Sequence, residues 1–113
     1  MNTQRGIAKS KYIRMSPRKA RLAADLIRGK SVEEATLQLM YCKLKAGRLL
    51  KKTLDSAVAN AESQLEVQRR DLKVSEIRVD AGPILKRVKS RSKGGRVPVM
   101  KRTSHFTVVV AAE

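Results

Sequence analysis

The spacing of apolar residues changes period several times along this chain, and each change marks an element. Residues 7–15, Ile-Ala-Lys-Ser-Lys-Tyr-Ile-Arg-Met, mix β-branched, aromatic and basic positions and predict a strand. Ser16-Pro17 stops it: Ser16 is suited to cap a helix, and Pro17 to the first helical position, where a missing N–H forfeits no intrahelical bond. Ala20, Ala23, Ala24 and Ile27 then fall at i, i+3, i+4 and i+7, so a helix is expected to about Arg28, closed by Gly29 as a left-handed cap. Ser31 and Glu34 have capping-box spacing and open a shorter helix over about 32–40. A third helix follows from Leu44 to Leu65, its stripe running through Leu50, Leu54, Ala57, Val58 and Ala61, with small residues that let another backbone come close.

Period two takes over at Leu72. Leu72 and Val74, then Ile77 and Val79, alternate out of phase across Ser75-Glu76, as in a strand that carries a bulge or is partly covered on both faces. Phe106, Val108 and Val110 alternate with Thr107 and Val109 in a terminal strand. These two strands are expected to be antiparallel neighbours whose ladder continues outward into the segment between them. With the first strand they predict an α+β fold, a three-stranded antiparallel sheet packed against about three helices.

The intervening segment changes the picture. Between Ala81 and Ser104 there is no acid, but there are Lys86, Arg87, Lys89, Arg91, Lys93, Arg96, Lys101 and Arg102. Such a stretch cannot form a packed core. Gly82-Pro83 opens it, Gly94-Gly95 divides it, and Val88, Val97, Val99 and Met100 supply β-propensity, so it reads as a long protruding β-hairpin. Roughly ten residues per limb at about 3.3 Å each would project about 30 Å, a length suited to penetrating a partner. A free two-stranded ribbon is marginal in water, and in the unbound protein a disordered loop is the competing reading.

Charge says what that partner is. The 113 residues form one domain, 1–113, with a body of 1–81 and 104–113 and a hairpin of 82–103. Net charge is +16, distributed unevenly: nine Lys/Arg against Asp25 in residues 1–30, nine against eight acids in 31–80, and eight against Glu113 in 81–113. Both flanks are cationic and demand a polyanion, with nucleic acid the first choice. Arg18, Lys19 and Arg21 stand at the positive end of a helix dipole, where cations are unfavourable unless an anion is near and free amides can hold a phosphate. Lys9, Lys11 and Arg14 extend that surface. With Tyr12, Tyr41 and Phe106 as the whole aromatic content, recognition is expected to rest on backbone charge and shape.

Other chemistries find little support. One cysteine, Cys42, allows no internal disulfide, and with a single histidine, His105, it allows no Cys/His zinc site. No Walker-type glycine loop and no nucleophile–base pair stand out, and His105 reads as structural or RNA-contacting. The chain therefore reads as a non-enzyme without cofactor. It has no signal-peptide h-region and no apolar run near the roughly eighteen residues of a membrane span, and helix 17–28 is too alanine-rich for a membrane-surface helix. A DNA-architectural protein that inserts a basic β-arm into a minor groove is the alternative.

Four blocks narrow the choice: Ser16-Pro17-Arg18-Lys19 with Leu26-Ile27-Arg28-Gly29-Lys30; Ser56-Ala57-Val58-Ala59-Asn60-Ala61; Val79-Asp80-Ala81-Gly82-Pro83; and Lys101-Arg102-Thr103-Ser104-His105. In that order, from about Ala8 to Val110, they resemble the bacterial-type large-subunit ribosomal protein L twenty-two family. The resemblance implies a structural constituent of the large ribosomal subunit that binds and organises large-subunit ribosomal RNA during assembly. Its body would lie near the polypeptide exit, and its hairpin would line the nascent-peptide tunnel. The implied partners are that RNA, neighbouring large-subunit proteins and the nascent polypeptide, with no membrane and no homo-oligomer. The implied location is cytoplasmic, on the ribosome, with an organellar ribosome left open.

The RNA-binding set becomes Lys9, Lys11, Arg14, Ser16, Pro17, Arg18, Lys19, Arg21, Arg28, Lys30, Asn60, Lys86, Arg87, Lys89, Arg91, Lys93, Arg96, Lys101, Arg102, Thr103, Ser104 and His105. The tunnel-lining tip is Ser90, Arg91, Ser92, Lys93, Gly94, Gly95, Arg96 and Val97, and Leu85-Lys86-Arg87 fall in the limb that the family links to macrolide resistance. This sequence departs from the usual tip, which commonly has proline where Ser90 stands and arginine where Gly95 stands. Two rigid or charged anchors are thus replaced by flexible residues, and Pro98 on the outbound limb can restore part of the stiffness.

Overall fold

The computed structural model describes residues 4–43, 45–90 and 94–112. Strand β1 (Gln4–Ile13) leads into α1 (Pro17–Asp25), α2 (Val32–Met40) and α3 (Lys45–Leu65). A single 3₁₀ turn, Arg69–Asp71, precedes β2 (Leu72–Ala81); β3 (Leu85–Ser90), β4 (Arg96–Lys101) and β5 (Ser104–Ala112) complete the chain. The expected α+β class holds, with β1, β5 and β2 forming an antiparallel sheet in that order and β5 in the centre.

Local signals explain most boundaries. α2 begins where Ser31 Oγ accepts the Glu34 N–H at 3.3 Å. The start expected for α3 at Leu44 lies outside the described residues. α1 stops earlier than its periodicity suggests, because the amides of Leu26 and Ile27 reach back only three residues, to Ala23 O and Ala24 O. That tightened turn delivers Gly29 at φ +79°, and the chain is then stitched to β2 by Gly29 N–H to Val74 O (3.2 Å) and Val74 N–H to Lys30 O (2.8 Å). The phase break in β2 is a bulge: Ser75 is the extra residue between the pairs Val74↔Val110 and Glu76↔Val109.

The three helices cover one face of the sheet. Ile27, Leu50, Leu54, Val58, Leu72, Val74, Phe106, Val108 and Val110 fill the core between them. The small residues of α3 meet β1 at its glycine. A Cβ on Gly6 would lie 2.6 Å from Ala61 Cβ and 2.7 Å from Ala57 O, so only glycine permits this approach. Further along the contact, Ser10 Oγ and Thr53 Oγ1 are hydrogen-bonded at 2.8 Å.

One expectation needs correction. The β2–β5 ladder does not run on into the hairpin; β3 and β4 form a separate two-stranded sheet, paired from Leu85↔Lys101 to Ser90↔Arg96. Between the sheets lies a junction, Gly82-Pro83-Ile84 on one side and Arg102-Thr103 on the other. Pro83 has no N–H to give a ladder, and Thr103 turns its hydroxyl onto Pro83 O at 2.6 Å while Gly82 N–H bonds Thr103 O at 2.9 Å. Gly82 is needed here too, because its Cβ would stand 2.5 Å from Thr103 Oγ1. Body and hairpin together measure 63 × 25 × 20 Å. In the hairpin turn Gly94 takes φ +74°, the region for which glycine is suited.

Candidate nucleic-acid interface

Two helix starts converge on one cleft. Ser16 occupies the N-cap position of α1, but its side chain makes no capping bond, and the first turns of α1 and α3 contain no acid. The amide ends and the dipoles of both helices are therefore left without the carboxylates that usually satisfy them. Around this point a cleft of about 740 Å³ is lined by Arg14, Met15, Ser16, Lys19, Lys45, Lys101 and Arg102. Arg102 also borders an adjoining hollow with Pro17, Arg18, Arg21 and Ala81. Eight of the predicted residues, Arg14, Ser16, Pro17, Arg18, Lys19, Arg21, Lys101 and Arg102, thus line this region, with Lys86 exposed on the hairpin beyond it.

The helix-free face of the sheet forms a second cationic area. Residues paired across strands share a face, so Lys9, Thr107 and Arg78 make one row, and Arg5, Ala111 and Lys73 another. Lys9, Lys11, Arg78, Asp80, His105, Phe106 and Thr107 border a hollow on this face. Exposed Arg5, Lys9, Lys11, Lys73 and Arg78 outnumber Glu76 and Asp80, and Glu76 is already paired with Arg78 at 3.1 Å. Lys9 and Lys11 therefore do not extend the α1 surface, as the sequence suggested, but belong to this second face.

Between the two areas β1 is bulged. Lys11 and Tyr12 together stand opposite His105, between the pairs Ser10↔Phe106 and Ile13↔Ser104. Tyr12 has φ 58°, a left-handed conformation that costs a side-chain-bearing residue about 1–2 kcal/mol. His105 fixes it: Nδ1 accepts the Tyr12 N–H at 3.1 Å, and the two rings meet edge to face at 5.0 Å between centroids. The bulge shifts the phase of the strand, sending Ile13 against the core and Tyr12 outward.

Several predicted residues hold the fold with the groups expected to bind. Thr103 and Ser104 are buried, and Ser104 Oγ donates to Met15 O at 2.6 Å, tying the start of α1 to β5. Asn60 donates to Ile7 O at 3.0 Å, and Arg21 Nε to Val79 O at 3.2 Å. Arg28 pairs with Asp25 and donates to Ile77 O, and Lys30 sits in the turn bonded to β2. These side chains position the exposed cations. On the hairpin, Lys89 pairs in register with Val97 and Ser90 with Arg96, and Arg87 with Val99; Arg91, Ser92 and Lys93 lie outside the described residues.

Sequence reasoning missed Lys45, whose signal was present: Lys43, Lys45, Arg48, Lys51 and Lys52 precede the first acid of α3, Asp55. It also missed Lys73, Arg78 and Tyr12, which only strand pairing assigns to the outer face. Among the described residues no group of His, Cys, Asp and Glu is arranged to hold a metal ion, and no helix is long and apolar enough to cross a membrane.

The described residues thus form a small α+β body with two cationic faces and a basic two-stranded arm. The chain belongs to the ribosomal protein L22p/L17e family, whose model matches residues 8–111. It is 72% identical over 102 residues to the large ribosomal subunit protein uL22 of Protochlamydia amoebophila, covering 90% of this chain and 92% of that protein. The proteins of the same name from Chlamydia muridarum and Chlamydia pneumoniae are 65% and 61% identical over 103 residues, each with 91% of this chain and 93% of the relative covered.

Proposed function

We propose that this member of a family of structural, non-enzymatic large-subunit ribosomal proteins works by binding and organising large-subunit ribosomal RNA. The observation that carries the reading is the cleft where Arg14, Lys19, Lys45, Lys101 and Arg102 surround two acid-free helix starts. Phosphates there would meet side-chain cations, free amide ends and two helix dipoles at once. The second cationic face allows the body to bridge two RNA segments. Burial of Thr103 and Ser104 fixes the angle at which the hairpin leaves the body.

In this reading residues 1–81 and 104–113 hold RNA near the polypeptide exit, and residues 82–103 thread inward. Residues 90–97 line the tunnel and meet the nascent polypeptide. Neighbouring large-subunit proteins are further partners, and the particle places the chain in the cytoplasm. Nuclease treatment of native particles tests the assignment. The chain is expected to co-sediment with large subunits and to be released by RNase; release by DNase alone would instead mark a DNA-architectural protein.

A further inference from the structure

We propose that Tyr12 is a base-stacking residue that takes one unpaired RNA base while Lys9, Lys11 and Arg14 hold the adjacent phosphates; this inference rests on the RNA-binding reading above. Tyr12 is 65% exposed, although an aromatic ring is the side chain that gains most from burial. It stands in a left-handed backbone conformation, and two separate contacts with His105 hold it there. A bulge serving only to turn the strand would be met at lower cost by glycine. A ring serving only to seal it would be covered.

The edge-to-face contact with His105 leaves a face of the phenol ring open, and every base has a π-face to lay on it. The chain places Tyr12 between Lys11, beside the hollow of the sheet face, and Arg14, in the cleft. An RNA strand crossing from one cationic area to the other passes the ring. Tyr41, 80% exposed at the end of α2, has no such backbone clamp and serves as an internal control.

The chain has two tyrosines and no tryptophan, so tyrosine emission can be assigned by single substitutions. In the Tyr41→Phe protein, Tyr12 emission is expected to be quenched on titration with an in vitro transcript of the large-subunit ribosomal RNA. Tyr41 emission in the Tyr12→Phe protein is expected to show only the absorbance correction. Tyr12→Phe should bind within about twofold of the parent, whereas Tyr12→Gly, which suits the left-handed backbone, should bind about 5- to 150-fold more weakly at an unchanged salt slope. Lys9→Gln with Lys11→Gln should instead flatten that slope by about 1.4–1.8. Tyr12 emission unmoved on binding, or Tyr12→Gly binding as tightly as the parent, overturns the stacking role and leaves RNA binding standing. A parent protein that does not bind the transcript overturns the RNA reading itself.

Discussion

The cleft makes a quantitative prediction through salt. Five cations line it, Arg14, Lys19, Lys45, Lys101 and Arg102, and Lys19, Lys45 and Arg102 are all exposed. Replacing these three by glutamine removes charge without opening the core. If each neutralises one phosphate, the slope of log affinity against log salt becomes shallower by about 2.1–2.7, at about 0.7–0.9 for each contact. Over the decade between about 1 M and 0.1 M salt, that difference amounts to a loss of about 100- to 500-fold at the lower concentration and little at the higher. Filter binding of the rRNA transcript across a salt series, with far-UV circular dichroism to confirm an unchanged helix content, measures it. Lys52→Gln with Arg70→Gln, two exposed cations outside the cleft, should leave most of the slope intact. A triple variant whose line runs parallel to that of the parent would show that these side chains do not meet phosphates.

Two further outcomes test how the interface is held. Gly6→Ala should push β1 off α3, since the new Cβ meets Ala61 Cβ and the Ala57 and Ala61 backbone within 2.9 Å; at about 1–3 kcal/mol for overpacking, thermal unfolding should fall by roughly 4–20 °C, and an unchanged midpoint would refute the close approach. Thr103→Val should loosen the hairpin junction by removing the bond to Pro83 O, costing about 1 kcal/mol and speeding hydrogen exchange at Gly82 N–H about fivefold, with unchanged protection as the contrary result.

Most of the elements are legible in the chain because their signals are local. Pro17 after Ser16 signals a helix start, Ser31 with Glu34 signals another, and the phase break at Ser75-Glu76 left a bulge or a strand partly covered on both faces, of which the structure has the bulge. The acid-free run from Ala81 to Ser104 likewise declared a segment that no core would accept, and net charge pointed to a polyanion. Tertiary structure alone decided which cations stand together. Lys45 joins Lys19 and Arg102 because α3 begins beside α1, and Lys9 parts from Arg14 because the bulge at Tyr12 turns the strand. It also decided that Ser104, polar and adjacent to the basic hairpin, spends its hydroxyl on Met15 O inside the body. Capping and periodicity act over a few residues and survive in the one-dimensional string. A cluster of charges, or the inward turn of a hydroxyl, depends on contacts between residues far apart in the chain, and those exist only once the sheet and helices have packed.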